Sequence, residues 1–203
     1  MVERRGRPWL DFKPEPPSDH DALADDLALY LRTRDRPMMT WRNITFYSGD
    51  CVDLEWLQRE IDWHTRCRND RYRQAHDNWP FKLRLAQAAF RPDVFALRAQ
   101  ISTTALHPHA YEVKISRADF LADVRAGKWR HYRAIAEAVY FAVPDQLVDP
   151  REVPEGAGLI VRKRDHWRRV IRASGRSQWQ PTDRFWLTLL IRGRDPLRWE
   201  RGP

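Results

Sequence analysis

The sequence predicts a mixed α/β domain built on a central β-sheet flanked by helices. Three observations carry this. Short apolar or aromatic runs such as Val94-Phe95-Ala96-Leu97 and Val139–Val143 have the length and composition of strands. Stretches with helical spacing, some opening on their own caps, fall between them. The chain has 203 residues, enough for one domain with a real hydrophobic core, with room for an insertion but not for a second full domain.

The elements follow in order. Residues 1–17 read as a flexible arm, because Pro8, Pro14, Pro16 and Pro17 forbid a continuous helix. Ser18, with Asp21 three residues later, is placed to cap a first helix. Leu23, Leu27, Tyr30 and Leu31 then recur at helical spacing, and Asp26 sits on or beside their stripe. Met38–Tyr47 reads as one strand, closed by the turn signal Ser48-Gly49-Asp50. From about 49 to 89 the character changes to a helical insertion. Leu54, Leu57 and Ile61 form its stripe, 66–73 is basic and polar, and a short helix resumes over Phe81–Phe90 after Pro80.

Val94–Leu97 and Ala110–Ile115 then resemble a hairpin pair. Ser116 and Asp119 form a capping box for a helix bearing Phe120, Leu121 and Val124, interrupted at Gly127. Trp129, Tyr132 and Ile135 follow at threefold spacing. Val139–Val143 ends at Pro144, Leu159–Arg162 is a further strand with a hairpin partner over Trp167–Ile171, and Phe185–Ile191 suits a terminal helix.

The net charge is +8, carried mostly by arginine, whose planar fork suits phosphate oxygens. Such an excess favours polyanion partners, DNA among them, although a basic surface without that role has the same composition. No apolar run reaches a membrane-spanning length and the N-terminus lacks a secretory h-region, so no membrane partner is expected. Two cysteines, Cys51 and Cys67, argue against a disulfide scaffold and suit a cytoplasmic setting. With His64 and His76 they invite a zinc site, but the spacing matches no standard finger and ordinary buried cysteines explain them as well.

Asp93, Glu112 and Lys114 stand out chemically. Glu112 and Lys114 flank Val113 on one strand, so they project together while Val113 faces the opposite, apolar layer. If the two strands pair, Asp93 meets Glu112 at one end of the sheet. Two carboxylates and the backbone carbonyl of Val113 are hard oxygen donors suited to Mg²⁺ or Mn²⁺. Lys114 beside them can orient or deprotonate an attacking water, or stabilise charge on a phosphate. The spacing alone is equally that of a same-face surface pair.

The combination is more specific than its parts. Arg91-Pro92-Asp93-Val94 is followed by Tyr111-Glu112-Val113-Lys114-Ile115-Ser116-Arg117-Ala118-Asp119-Phe120-Leu121-Ala122-Asp123, then Gly127-Lys128-Trp129 with Tyr132, Val139–Pro144 and Val153–Val161. This stretch, over a third of the chain, resembles the MmcB-like group of the PD-(D/E)XK superfamily, associated with DNA repair and seen in phage and mobile elements. The resemblance implies a restriction-endonuclease-like core and a Mg²⁺- or Mn²⁺-dependent nuclease acting on DNA. It implies that Asp93 and Glu112 hold the metal and that Lys114 is the catalytic lysine. It also implies a further acid from the first helix, for which Asp26 is the candidate. Ser116, Arg117 and Lys128 belong to the signature and are candidate DNA contacts; Ser116 is equally placed as a helix cap.

The arm and the 49–89 insertion depart from the compact family pattern. The insertion could contact DNA, a partner protein or a second copy of the chain, or simply pack its tryptophans on the sheet. A module that keeps the fold without catalysis, binding DNA or a protein, is the alternative function.

Overall fold

A computed structural model describes residues 19–47, 89–100, 106–174 and 182–192. The expected arm at 1–17 and the insertion up to residue 88, with Cys51, His64, Cys67 and His76, lie outside the described residues.

Helix α1 spans His20–Thr33. Its cap is Asp19, whose carboxylate accepts from the Ala22 amide at 2.7 Å and so satisfies one of the free amides of the first turn. Expected as one strand, Met38–Tyr47 is two: β1, Met38–Arg42, and β2, Phe46–Tyr47. The break lies at Asn43, whose φ of 50° is a left-handed conformation that asparagine tolerates better than most residues. β2 pairs with β3, Ala89–Phe90, so these two residues, expected at the end of a helix, form a strand.

Next come β4 (Val94–Arg98), β5 (His109–Val113), α2 (Arg117–Ala126), a 3₁₀ helix (Lys128–Ala134) and β6 (Ala138–Pro144). A 3₁₀ turn at Pro150–Glu152 precedes β7 (Gly158–Arg162), β8 (Trp167–Ile171) and α3 (Asp183–Arg192). The threefold spacing of Trp129, Tyr132 and Ile135 matches the three residues per turn of the 3₁₀ segment, which holds the first two and is capped by the third. Gly127 ends α2 at φ 65°, a conformation that glycine adopts without strain.

Six strands form one mixed sheet in the order β1-β4-β5-β6-β7-β8. β4 pairs antiparallel with β1 and β5; β6 runs parallel to both β5 and β7; β8 returns antiparallel to β7. The parallel β5–β6 pair requires a crossover, which α2 and the 3₁₀ helix supply. Alternation along the strands sends residues to two layers. Val94, Ala96, Tyr111, Val113, Tyr140 and Ile160 pack under Leu23, Leu27 and Leu31 of α1. Phe95, Leu97, Ala110, Phe141 and Leu159 pack against Phe120, Trp129, Tyr132 and Phe185 on the other face. Each of the three α1 leucines is fully buried, contributing roughly 1.5–3 kcal/mol that holds α1 on the sheet. Among the described residues no helix is long and apolar enough to cross a membrane.

Candidate active site

The antiparallel β4–β5 pairing fixes the site. Val94 opens β4 opposite Tyr111, so Asp93, one residue earlier, lies beside the C-terminal end of β5. There its Oδ2 accepts from the Val113 amide at 2.8 Å. The amide of Lys114 is taken by Ala142 of β6, so by strand alternation Val113 turns its amide and carbonyl toward the β4 side. The Val113 carbonyl therefore faces the same side as Asp93. The Asp93 turn is held further through its own carbonyl, which accepts from the Asn43 amide at 3.2 Å and Arg42 Nε at 3.1 Å.

Glu112 points to the α2 face, opposite Val113, as strand alternation predicts. Its side chain is 4% exposed. Oε1 accepts from Lys114 Nζ at 3.1 Å and Lys128 Nζ at 3.4 Å, whereas the buried Oε2 has no hydrogen-bond partner among the described residues. Burial, and then the negative charge of Asp93, push the Glu112 carboxyl above its ordinary range despite the two lysines. Burial works against the Lys114 ammonium, but the bond to Asp123 and the charges of Glu112 and Asp123 outweigh it and raise its pKa. Lys114 is thus held protonated between Glu112 and Asp123, the latter 2.6 Å away on α2.

A cleft of about 220 Å³ opens here, lined by Phe90, Arg91, Asp93, Glu112, Lys128, His131 and Tyr132. The buried Tyr132 hydroxyl donates to the Arg91 carbonyl at 3.1 Å. Burial and the Glu112 charge hold this phenol well above its usual pKa, so it stays a hydrogen-bond donor.

Asp93, Glu112 and Lys114 are therefore brought together, with Lys128 at the mouth of the cleft. Asp26 is not with them. Its carboxylate, a candidate metal ligand by sequence, is engaged instead by Arg162 of β7 and by Trp167 Nε1 of β8, the latter at 2.8 Å. The physical reason is the path of α1: its first residue meets the Asp93 turn, while Asp26, nearly two turns on, projects toward β7 and β8. The α1 residue that meets Asp93 is His20, with Nε2 3.3 Å from Asp93 Oδ2. Asp21 and Asp25 join the same corner through Arg42.

Of the other signature residues, Ser116 is the cap of α2, accepting from the Asp119 amide at 3.1 Å and donating to its carboxylate at 2.8 Å. Arg117 is engaged by Glu152. His107 and His109 stand at the far end of β5, His107 on Glu137 at 2.8 Å and His109 on the Tyr111 hydroxyl at 3.1 Å. Sequence reasoning gave no role to His20 or Asp123. Asp123 had one signal, its position one helical turn after Asp119 on a helix that starts right after Lys114.

The donor set fits a divalent cation. A buried carboxylate oxygen without a hydrogen-bond partner, a second carboxylate that repels it, and the Val113 carbonyl turned to the same side as Asp93 are features that a small cation reconciles. Among the described residues no group of three or more His, Cys, Asp or Glu side chains is arranged to hold a metal. Two carboxylates suit Mg²⁺, which keeps several waters, better than a metal needing a full protein cage.

A scan against protein-family models and a search of curated proteins give no match. Among solved structures the chain is similar to a protein of unknown function from Silicibacter pomeroyi, at 24% identity over 51% of this chain and with a TM-score of 0.38. The match spans 63% of that protein's chain.

Proposed function

We propose that the chain is a nuclease of the restriction-endonuclease-like, PD-(D/E)XK type that uses Mg²⁺ or Mn²⁺ to hydrolyse phosphodiester bonds in DNA. The observation that carries this reading is the meeting of Asp93, Glu112 and Lys114 at adjoining strand ends, with one oxygen of Glu112 buried and unpartnered. A divalent ion bound here supplies positive charge to the scissile phosphate and makes an attacking water more acidic.

The chain's own groups divide the remaining work. Asp93, fixed by the Val113 amide, and Glu112, fixed by two lysines, hold their oxygens in place before any ligand arrives. Lys114 is a poor base, because its two acidic partners keep it protonated. Its role is to donate a hydrogen bond and to offset the negative charge that grows on the phosphate oxygens as water attacks phosphorus. Lys128 and Arg91, both exposed at the cleft, are placed to meet the DNA backbone. This reading puts the protein with DNA in the cytoplasm, in repair or in the processing of mobile-element DNA.

The test is a cleavage assay on duplex, nicked, single-stranded and flapped DNA with Mg²⁺ or Mn²⁺, run beside Asp93→Ala, Glu112→Ala and Lys114→Ala. Metal-dependent cleavage by the parent alone is expected. Folded variants that cut as well as the parent would sink the site, and DNA binding without cleavage by the parent would favour the non-catalytic module.

A further inference from the structure

The Lys114 ammonium stands between two carboxylates and leans toward one of them. Its Nζ lies 2.6 Å from Asp123 Oδ2 and 3.1 Å from Glu112 Oε1. The three side chains are largely shielded from water, at 13% exposure for Lys114, 16% for Asp123 and 4% for Glu112. In so dry a place an ion pair strengthens as it shortens, so Asp123 holds the larger share of the ammonium. Glu112 meanwhile keeps its Oε2 without a hydrogen-bond partner among the described residues.

The position of Asp123 follows from helix α2. Ser116 caps that helix two residues after Lys114, so it begins directly over the end of β5. Phe120 is fully buried and sets its ring edge-on to Phe141 of β6 at 4.9 Å, which fixes the sheet-facing side of the helix. Asp123 comes three residues after Phe120 and shares that side. Among the described residues its cationic partner is Lys114.

We propose that Asp123 is a positioning residue for the cation site: by drawing the Lys114 ammonium toward α2, it leaves Glu112 open to the divalent ion.

This role rests on the reading of Asp93 and Glu112 as metal ligands. Without Asp123, the shielded ammonium has Glu112 as its remaining carboxylate. A buried charge is costly unless it is paired and hydrogen-bonded, so Lys114 would close on Glu112, the open Oε2 included. It would then compete with the ion for the same oxygens. Lys128 is not such a competitor. More than half exposed and 3.4 Å from Oε1, it can turn to solvent at little cost. Nor is Asp123 arranged as a ligand itself. The ammonium stands between it and Glu112, and among the described residues no three acidic, His or Cys side chains are grouped to hold a metal.

Mn²⁺ binding to the full chain, followed by calorimetry without DNA, tests this, with thermal unfolding in chelator to establish that each variant is folded. Asp123→Asn should weaken Mn²⁺ binding about tenfold or more, the usual scale for a residue that supports a metal ligand. Asp123→Ser takes its place should that variant not fold. Lys114→Met should bind Mn²⁺ at least as tightly as the parent, because the competing ammonium is gone. Adding Asp123→Asn to Lys114→Met should then cost no more than about threefold, and this non-additivity marks an effect passed through Lys114. A neutral Asp123 variant that binds as the parent does would overturn the proposal. So would an equal loss with and without Lys114, because Asp123 would then act on the ion directly or serve only to shape the site. The nuclease reading is separable. A parent that binds Mn²⁺ in the expected pattern but cuts no DNA refutes catalysis and supports the role of Asp123, and a parent that cuts DNA while the Asp123 variants bind Mn²⁺ normally does the reverse. A parent that binds no Mn²⁺ overturns both.

Discussion

Acidification should destabilise this protein through His109 before most carboxylates titrate. In the unfolded chain the imidazole has its ordinary pKa of 6.5, and in the folded protein it is held near 3. The folded value is depressed, so the unfolded state takes up the proton first. The stability tied to the neutral ring is fully present above pH 6.5 and is lost as pH falls toward 3. At pH 5 the unfolded ring is largely protonated and the folded one is not, a gap worth about 2 kcal/mol. His109 keeps some solvent contact, so about 1–2 kcal/mol is the expected loss between pH 7 and pH 5. Urea denaturation of the parent and of His109→Gln at both pH values isolates this contribution, because the other titrating groups are common to both. The parent should lose 1–2 kcal/mol more than the variant. Parallel losses would refute the burial of a neutral imidazole here.

Glu112→Gln should remove cleavage yet raise the stability of the metal-free protein by about 0.5–2 kcal/mol, since burial and Asp93 disfavour the native charge; thermal unfolding in chelator checks it, and a lowered midpoint would mean that the lysine pairs dominate. Asp26→Asn should leave cleavage within a few-fold of the parent while costing about 1–3 kcal/mol of stability, because Arg162 is buried and loses its counter-charge; loss of activity without loss of stability would return Asp26 to the site. Gly158→Ala should cost roughly 2–4 kcal/mol, because its Cβ would sit 2.3 Å from the Tyr140 ring and 2.8 Å from the Ala173 amide, and a backbone amide cannot move aside cheaply; denaturant titration is the measure, and a neutral result would show that the sheet yields there.

What the sequence revealed, and what it hid, follows the range of the interactions involved. The strands from Val94 to Ile171 were legible, because each is a short apolar or aromatic run bounded by turn residues. Glu112 and Lys114 were legible together because strand alternation is local, and the pairing of β4 with β5 brings in Asp93. The contact of Asp26 with Arg162 and Trp167 was hidden because helical periodicity tells which face of α1 meets the sheet but not which strand lies beneath each turn. That depends on the crossing of α1 over the sheet, which also sets His20 against Asp93. The role of Asp123 was hidden, since its contact with Lys114 exists only once α2 folds back over β5. The break in Met38–Tyr47 depends on one left-handed asparagine, which a run of aromatic and β-branched residues conceals.

The small β2–β3 ladder has a consequence for chain length. Phe46 pairs with Phe90 and Tyr47 with Ala89, so the ends of the segment at 48–88 are tied side by side, about 5 Å apart. The main sheet registers only that its chain leaves and returns at one point. Closing a loop costs only about 0.6 kcal/mol more for each doubling of its length. The core can therefore host segments of widely different size at this neck, from a tight turn to a folded module, without a change in the register of β1 and β4 or in the position of Asp93. Phe46, stacked 5.1 Å from Phe185 and fully buried, anchors the neck to the rest of the fold.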